Sequence, residues 1–310
     1  MNRRQTIPKE LRYTRNQFDA EFPNDDVCLE QIREQRWPGG IANCETCKKD
    51  RKHYRVTGRT AYACDRCGHH IYPLAGTIFE KSTTPLRIWF QAMYLMGSTR
   101  CGISAKQIQR ETGVTYKTAW RMFNQIRKLL SEDVQLEGAT IEMDEMYVGG
   151  KRRLRTMYDP SNKTCVVGMV ERKGRVRAVI ADDNSRKTLH DIAKEYILPK
   201  STVFTDDLAS YHGLEKHDYE HKRINHSQGV YVMGDVHTQT IDGFWSLVKR
   251  GIGGVYHSVS KKYLQTYLNE YAFRYNHRDC GNLIFPLLVA RASQTELLKP
   301  SEQAKRSLHV

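Results

Sequence analysis

The sequence predicts a mixed α/β domain preceded by two smaller modules, and three observations predict this organisation. Four cysteines form two Cys-x-x-Cys pairs, at 44–47 and 64–67, with sixteen residues between the pairs. Residues 102–130 then carry an amphipathic helical pattern that is interrupted at Gly113. From about residue 137, short β-branched runs alternate with helical segments, which is typical of a mixed α/β sheet.

The cysteine pairs predict a small zinc ribbon. Each Cys-x-x-Cys turn directs two thiolates at one ion, and four such ligands complete a tetrahedral zinc site. The expected ligands are Cys44, Cys47, Cys64 and Cys67. His69 and His70 compete with them as ligands, and a redox role for the pairs is the alternative. Residues 54–64 predict a hairpin, and a unit of this size needs its metal in order to fold.

Helical patterns flank the ribbon on both sides. Residues 24–37 predict a short helix with Asn24 as its N-cap and a Pro-Gly-Gly stop at 38–40. Residues 86–96 are apolar on most sides, which predicts a buried helix.

Residues 102–130 predict a helix-turn-helix. Ser104 caps the first helix, Gly113 makes the turn, and Thr115 caps the second helix. The second helix would present basic and aromatic side chains to a DNA groove. These candidates are Tyr116, Lys117, Arg121 and Arg127. A helical hairpin without DNA contacts is the alternative.

The remaining elements are short strands and amphipathic helices. The expected strands are 139–150, 164–174, 175–183 and 201–207, and the expected helices are 185–197, 236–252 and 260–278. We divide the chain into an N-terminal segment with the ribbon (1–78), a helical DNA-binding region (79–135), a catalytic domain (136–290) and a tail (291–310).

The charge of the chain favours a polyanionic partner. The net charge is +14 and the isoelectric point is about 9.4. Basic residues cluster at 151–155, 172–177 and 221–223, which suits contacts with DNA phosphates. A generally basic protein without a nucleic-acid partner is the alternative. We expect a cytoplasmic, nucleoid-associated protein, because the sequence shows neither a membrane-spanning run nor a signal-peptide core.

Three aspartates lie where a metal site could form. Asp144 lies within the first expected strand, Asp206 ends the strand at 201–207, and Asp242 opens the helix at 236–252. Acids next to a hydrophobic core are tolerated when divalent ions neutralise them. Lys249 shares a helix face with Asp242 and would meet a phosphate. Other acids compete for these roles, either as ligands or as partners of Lys and Arg: Glu142, Glu145, Asp182, Asp183 and Asp207.

The chain resembles bacterial insertion-sequence transposases of the zinc-ribbon DDE type, relatives of the eukaryotic Merlin elements. The segments that carry the resemblance span nearly the whole chain: 22–47, 62–80, 102–122, 141–153, 203–214, 236–252 and 267–278. The resemblance implies an RNase H-like core, two magnesium or manganese ions, and double-stranded DNA as the partner. It also implies cleavage at transposon ends and transfer of the 3′-hydroxyl into target DNA.

The same resemblance assigns roles to individual residues. It places the three metal-binding acids at Asp144, Asp206 and Asp242 and the helix lysine at Lys249. Further candidates for DNA contact are His237, Arg250, Lys151 and Arg152. Because two transposon ends must be brought together, we expect a homodimer or a higher homo-oligomer on DNA.

This sequence departs from the family pattern at the third acid. The pattern has His-Thr-Asn followed by Ile-Glu-Gly-Phe-Trp, whereas this chain has Gln239 and Asp242. Aspartate is one methylene shorter, a loss of roughly 1.5 Å of reach. Two alternatives to a full transposase therefore stay open: a DNA-binding protein with an inactive core, and a nuclease without strand transfer.

Overall fold

The structure is a computed structural model that describes residues 8, 12–149, 163–224, 238–281 and 283–294. The chain forms two compact units: the first comprises Met1–Leu129 and Asp279–Val310, and the second comprises Leu130–Arg278. The candidates Lys151, Arg152 and His237 lie outside the described residues. No described helix has the length and apolar character needed to cross a membrane.

The first unit begins with two helices, α1 (Arg15–Glu21) and α2 (Asp25–Arg36). The side chain of Asn24 accepts a hydrogen bond from the amide of Val27 at 3.1 Å, which confirms the predicted cap. The helix stops before Pro38, and Gly39 has a φ of +64°, which favours glycine at that position.

The zinc ribbon is a four-stranded antiparallel sheet. Its strands are β1 (Ile41–Cys44), β2 (Lys49–Arg55), β3 (Tyr62–Cys64) and β4 (His70–Ile71), paired in that order. The predicted hairpin at 54–64 is the β2–β3 pair. Each Cys-x-x-Cys turn follows the end of a strand, because Cys44 ends β1 and Cys64 ends β3.

Helices complete the first unit: α3 (Leu86–Ser98), α4 (Ala105–Thr112), α5 (Tyr116–Lys128) and α9 (Ile284–Ala292). Ser104 and Thr115 cap α4 and α5, and Gly113 between them has a φ of +72°. The two helices and their turn are therefore present as predicted. Recognition of DNA by this pair stays a prediction.

The C-terminal helix α9 belongs to the first unit. Phe285 packs against Phe18, Phe22 and Tyr94, with ring centroids 5.5–6.0 Å apart. Our sequence-based division placed residues 279–290 in the catalytic domain, whereas contacts within the structure group them with the N-terminal helices. The four-part division as a whole stays a prediction.

The second unit is a five-stranded mixed sheet with helices. Its elements are β5 (Thr140–Val148), β6 (Thr164–Glu171), β7 (Val176–Ala181), α6 (Arg186–Tyr196), β8 (Thr202–Asp206), β9 (Glu220–Ile224), α7 (Gln239–Gly251) and α8 (Lys261–Asn276). The strand order is β7-β6-β5-β8-β9. The β5–β6 and β6–β7 pairs are antiparallel, and the β5–β8 and β8–β9 pairs are parallel.

Helices cover both faces of this sheet. On one face Met143 and Val167 join the core cluster that contains Leu189 of α6. On the other face Val166 joins the cluster that contains Trp245 of α7. Alternate residues of β5 and β6 therefore point to opposite layers, as a strand that is buried on both faces requires.

Candidate active site and zinc centre

The four predicted zinc ligands converge in the ribbon. One ligand atom from each of Cys44, Cys47, Cys64 and Cys67 lies within 4.8 Å of the others. The Sγ atoms of Cys44 and Cys67 are 3.4 Å apart, and those of Cys47 and Cys64 are 4.0 Å apart. A tetrahedral ion with zinc–sulfur distances near 2.3 Å holds its sulfurs about 3.8 Å apart. The geometry and soft chemistry of these sulfurs therefore fit zinc.

The electrostatics of the cysteine cluster favour a bound cation. The amide of Cys47 lowers the pKa of the Cys44 thiol to about 6, whereas hydrogen bonding with Cys67 and burial raise the pKa of Cys47 to about 12. Four adjacent sulfurs cannot all ionise without a cation to balance them. His69 and His70 are not members of this cluster, and His69 lies 3.9 Å from Glu45.

The parallel pairing of β5 with β8 places Asp144 and Asp206 side by side. Glu142 pairs with Phe204, and each aspartate lies two residues farther along its own strand. Both aspartates are partly buried. The first two predicted acids therefore share one region at the centre of the sheet.

The carboxyl group of Asp144 has an unusual environment. Burial, followed by the nearby charge of Glu145, raises its pKa to about 7, and the charges of Asp206 and Asp242 add to the rise. The indole nitrogen of Trp245 donates a hydrogen bond to Asp144 Oδ2 at 2.8 Å, which acts in the opposite direction. All three predicted acids therefore interact electrostatically, in a region where a cation would relieve their repulsion.

Helix α7 carries the third acid and the predicted lysine. Asp242 lies in its first turn, and Lys249 and Arg250 lie in its last turn. All three side chains are exposed, whereas Phe244 and Trp245 on the other side are buried. Among the described residues, only the four cysteines form a metal-ligand group within 4.8 Å. The three aspartates share a neighbourhood, but their oxygens do not form so tight a set.

Most of the competing acids make other contacts. Asp183 accepts hydrogen bonds from the Thr188 hydroxyl and the Ser185 amide at the start of α6, and these bonds lower its pKa to about 2. Asp207 pairs with Arg223 at 3.2 Å and lies 3.6 Å from His212. These two acids therefore have structural roles: Asp183 accepts hydrogen bonds at the start of α6, and Asp207 is a partner of Arg223.

Glu145, one of the competing acids, is a neighbour of the site. The hydroxyl of Tyr211 donates to Glu145 Oε2 at 2.6 Å, and burial raises the pKa of Glu145. Glu145 directly follows Asp144, but it lies on the opposite face of β5. Only its position next to Asp144 in the sequence could have pointed to it.

The predicted DNA contacts on α5 differ in their exposure. Tyr116 and Lys117 are exposed. Arg121 is exposed as well, but its guanidinium donates to the hydroxyls of Ser82 and Thr84. The prediction for Arg127 was wrong, because its side chain is fully buried over the ring of Phe123. A helical pattern alone did not reveal that this turn of α5 faces the core.

Comparison with known proteins identifies the family. The model of the ISXO2-like transposase domain matches residues 135–276, and that of the transposase zinc-ribbon domain matches residues 23–70. A protein of transposable element ISH50 from Halobacterium salinarum is 31% identical over 279 residues, which cover 82% of this chain and 91% of that protein. The chain belongs to the ISXO2-like transposase family.

Two further similarities concern parts of the chain. A transposase-like protein of Haemophilus influenzae is 30% identical over 112 residues, which cover 36% of this chain and 89% of that protein. A solved pre-cleavage Mos1 transpososome overlaps with a TM-score of 0.27 and 11% identity, covering 61% of this chain and 74% of that chain. An overlap this loose supports no correspondence between residues.

Family membership agrees with both candidate sites. The zinc-ribbon match contains all four cysteines, and the transposase-domain match contains all three aspartates together with Lys249. A transposase with a zinc ribbon is therefore the identity of this chain at the level of the family.

Proposed function

We propose that this protein is a DDE-type DNA transposase, which cleaves phosphodiester bonds at transposon ends and transfers the resulting 3′-hydroxyl to target DNA. The observation that carries the proposal is the placement of Asp144 and Asp206 on two adjacent strands beside α7, which carries Asp242 and whose Trp245 donates a hydrogen bond to Asp144 at 2.8 Å. In a member of a transposase family, such a group of acids would bind the divalent ions that catalyse phosphodiester cleavage.

The topology of the second unit supports an RNase H-like core. Three antiparallel strands, β5 to β7, are followed by β8 and β9, which extend the sheet in parallel from the other side of β5. The first acid lies on the central strand and the second ends the strand next to it. This arrangement supports the RNase H-like core that the resemblance implies.

The three aspartates would hold two divalent ions. Carboxylate oxygens are the ligands that magnesium and manganese prefer, so the donor set fits either ion. Bound ions of this kind activate an attacking oxygen and stabilise the leaving oxygen at one phosphate. Trp245 holds one oxygen of Asp144 by a hydrogen bond, which leaves Oδ1 of that carboxylate for a ligand role.

Basic residues of α7 would position the DNA. Lys249 lies two helical turns beyond Asp242 on the same face, and Arg250 follows it. Their ammonium and guanidinium groups would contact phosphates near the scissile bond. Tyr116 and Lys117, the zinc ribbon, and the basic residues His237, Lys151 and Arg152 would add contacts to transposon ends, and two copies of the chain would bring two ends together.

One observation favours a second candidate function, a DNA-binding protein with an inactive core. The oxygens of the three aspartates do not lie within 4.8 Å of one another. Asp242 has less reach than the glutamate of the family pattern, and a misplacement near 1 Å can cost about a hundredfold in rate. A nuclease that cuts without joining is the intermediate case.

A cleavage assay separates these functions. Purified protein is incubated with a DNA fragment that contains its gene and flanks, with magnesium or manganese, beside the Asp144→Asn variant. Specific nicks at the flanks followed by joined products, all absent with the variant, support the transposase. Cuts without joined products indicate a nuclease, and flank binding without cuts under either ion indicates an inactive core.

A further inference from the structure

The side chain of Glu142, near the candidate site, accepts hydrogen bonds through both of its oxygens. The residue is fully buried on β5, two positions before Asp144. Its Oε2 accepts the amide hydrogens of Thr240 at 2.8 Å and Ile241 at 3.0 Å. Its Oε1 accepts from the Thr240 hydroxyl and from Arg172 Nε, both at 2.9 Å. One carboxylate therefore receives three hydrogen bonds from the start of α7 and one from Arg172, in the turn after β6.

These bonds supply the cap that α7 lacks in its own sequence. The helix begins at Gln239, and its N-cap residue Thr238 makes no side-chain hydrogen bond to the first turn. The first amides of a helix need acceptors, and a negative charge at this end is favourable. Glu142 meets both needs from a strand about a hundred residues earlier in the chain.

The cap is tied to the strands that carry the other two acids. Arg172 neutralises the buried charge of Glu142, and its guanidinium lies 4.5 Å from the ring centroid of Phe204. Phe204 pairs with Glu142 across β5 and β8. A buried charge is costly unless it is paired and hydrogen-bonded, and Glu142 has both an ion-pair partner and hydrogen-bond donors.

We propose that Glu142 is a positioning residue, which fixes the start of α7 and thereby places Asp242 opposite Asp144 and Asp206. Asp242 directly follows Ile241, whose amide Glu142 holds. This inference rests on the proposed function, because it assigns Asp242 to a metal site. The short side chain of Asp242 cannot make up for a shift of its helix, so the anchor matters more here than it would for a glutamate.

The test uses Glu142→Gln in the full-length protein. Glutamine keeps the shape but replaces one acceptor oxygen with an NH₂ donor, which must then face either the two amides or Arg172. Hydrogen exchange of the first turn of α7, measured without metal, should accelerate about tenfold, as expected for the loss of roughly 1.4 kcal/mol. The affinity for manganese should fall about tenfold, as measured from the electron paramagnetic resonance signal of free manganese.

Glu171→Gln is the matched control. Glu171 is also a nearly buried glutamate of the same sheet, and it accepts hydrogen bonds from the amides of Glu137, Gly138 and Arg175. None of these amides belongs to α7. The control should lose stability without changing manganese affinity or the exchange of α7. Thr240→Val removes only the hydroxyl donor and should accelerate hydrogen exchange of the first turn of α7 severalfold. This variant replaces Glu142→Gln in the test if Glu142→Gln does not fold.

The outcomes are distinct. Wild-type exchange and wild-type manganese affinity in Glu142→Gln would overturn the role of Glu142 and leave the proposed function standing. Equal effects of Glu142→Gln and Glu171→Gln on manganese affinity would reduce Glu142 to a general stabiliser and overturn its positioning role. The proposed function itself would be overturned if the wild-type protein bound no manganese, or if Asp144→Asn left its manganese affinity unchanged.

Discussion

Trp245 and Asp144 link the helix of the third acid directly to the strand of the first. The indole nitrogen of Trp245 donates to Asp144 Oδ2 at 2.8 Å, and Asp242 lies one turn earlier on the same helix. This approach is possible because Asp144 pairs across the sheet with Gly168, which has no side chain. The indole ring occupies the space where a side chain would otherwise lie.

Gly168→Ala should therefore displace α7. A Cβ atom at position 168 would lie 2.5 Å from Trp245 Cζ2 and 2.9 Å from Ile241 Cδ1. We expect a loss of about 1–3 kcal/mol in the free energy of unfolding, as for other overpacked cores, together with weaker DNA cleavage. Urea unfolding and the cleavage assay measure the two effects.

Gly243→Ala is the control for this change on the same helix. A Cβ atom at Gly243 would meet no atom within 4 Å, so the variant should gain up to about 1 kcal/mol from helix propensity. Equal stability of the Gly168→Ala protein and the wild type would show that Trp245 does not pack as described.

Removal of zinc should unfold the ribbon and leave the second unit folded. Cys64→Ser deletes one of four converging ligands, and a sheet of four short strands has too small a core to persist without its ion. Hydrogen exchange should rise across 41–71 and stay unchanged across β5 to β8. Cys101→Ser, outside the cluster, should retain full zinc content. Protection of 41–71 in a zinc-free protein would refute a structural zinc.

The stability of the second unit should depend on Asp183 at acid pH. Its folded-state pKa of about 2 lies below the ordinary 3.8, so its stabilising effect is present above pH 3.8 and is lost as the pH falls to about 2. Asp183→Asn should be less stable than the wild type at pH 5 and equally stable near pH 2. Chemical unfolding followed by probes in α6 measures the difference, and a constant difference across this range would contradict the assignment.

Asp242→Glu should improve cleavage in magnesium. The longer side chain restores roughly 1.5 Å of reach, and magnesium tolerates less displacement of its ligands than manganese does. We expect a gain of about ten- to a hundredfold in magnesium and a smaller gain in manganese. Asp206→Glu, the same extension at the second acid, should lower cleavage. An unchanged magnesium rate in Asp242→Glu would show that reach is not limiting.

Local sequence signals predicted most of the helices and strands and the convergence of the four cysteines. The caps at Asn24, Ser104 and Thr115 have specific chemistry, and each satisfies an amide only three residues away. Each Cys-x-x-Cys turn likewise needs only its own spacing to direct its two sulfurs at one ion. Contacts between residues only about three positions apart in the sequence can be predicted without knowledge of tertiary packing.

Features that depend on distant partners were missed or misplaced. Strand β9 has the polar sequence Glu-His-Lys-Arg-Ile and forms only by pairing with β8 at the sheet edge. Arg127 is buried although its helix is amphipathic. Phe285 of α9 packs against Tyr94, about 190 residues earlier, and against Phe18, about 270 residues earlier. The sequence did not distinguish Glu142 from the other competing acids, because its partners Thr240 and Ile241 lie 98 and 99 residues away.

Manganese titration of single-acid variants tests most directly whether the three aspartates form one metal site. The proteins are the wild type, Asp144→Asn, Asp206→Asn and Asp242→Asn, with Asp207→Asn as the control, because Asp207 already pairs with Arg223. We expect each of the first three variants to bind manganese at least about tenfold more weakly, a loss of about 1.4 kcal/mol, and the control to bind as the wild type does. Undiminished binding in all three variants would contradict a shared metal site and, with it, the proposed transposase chemistry.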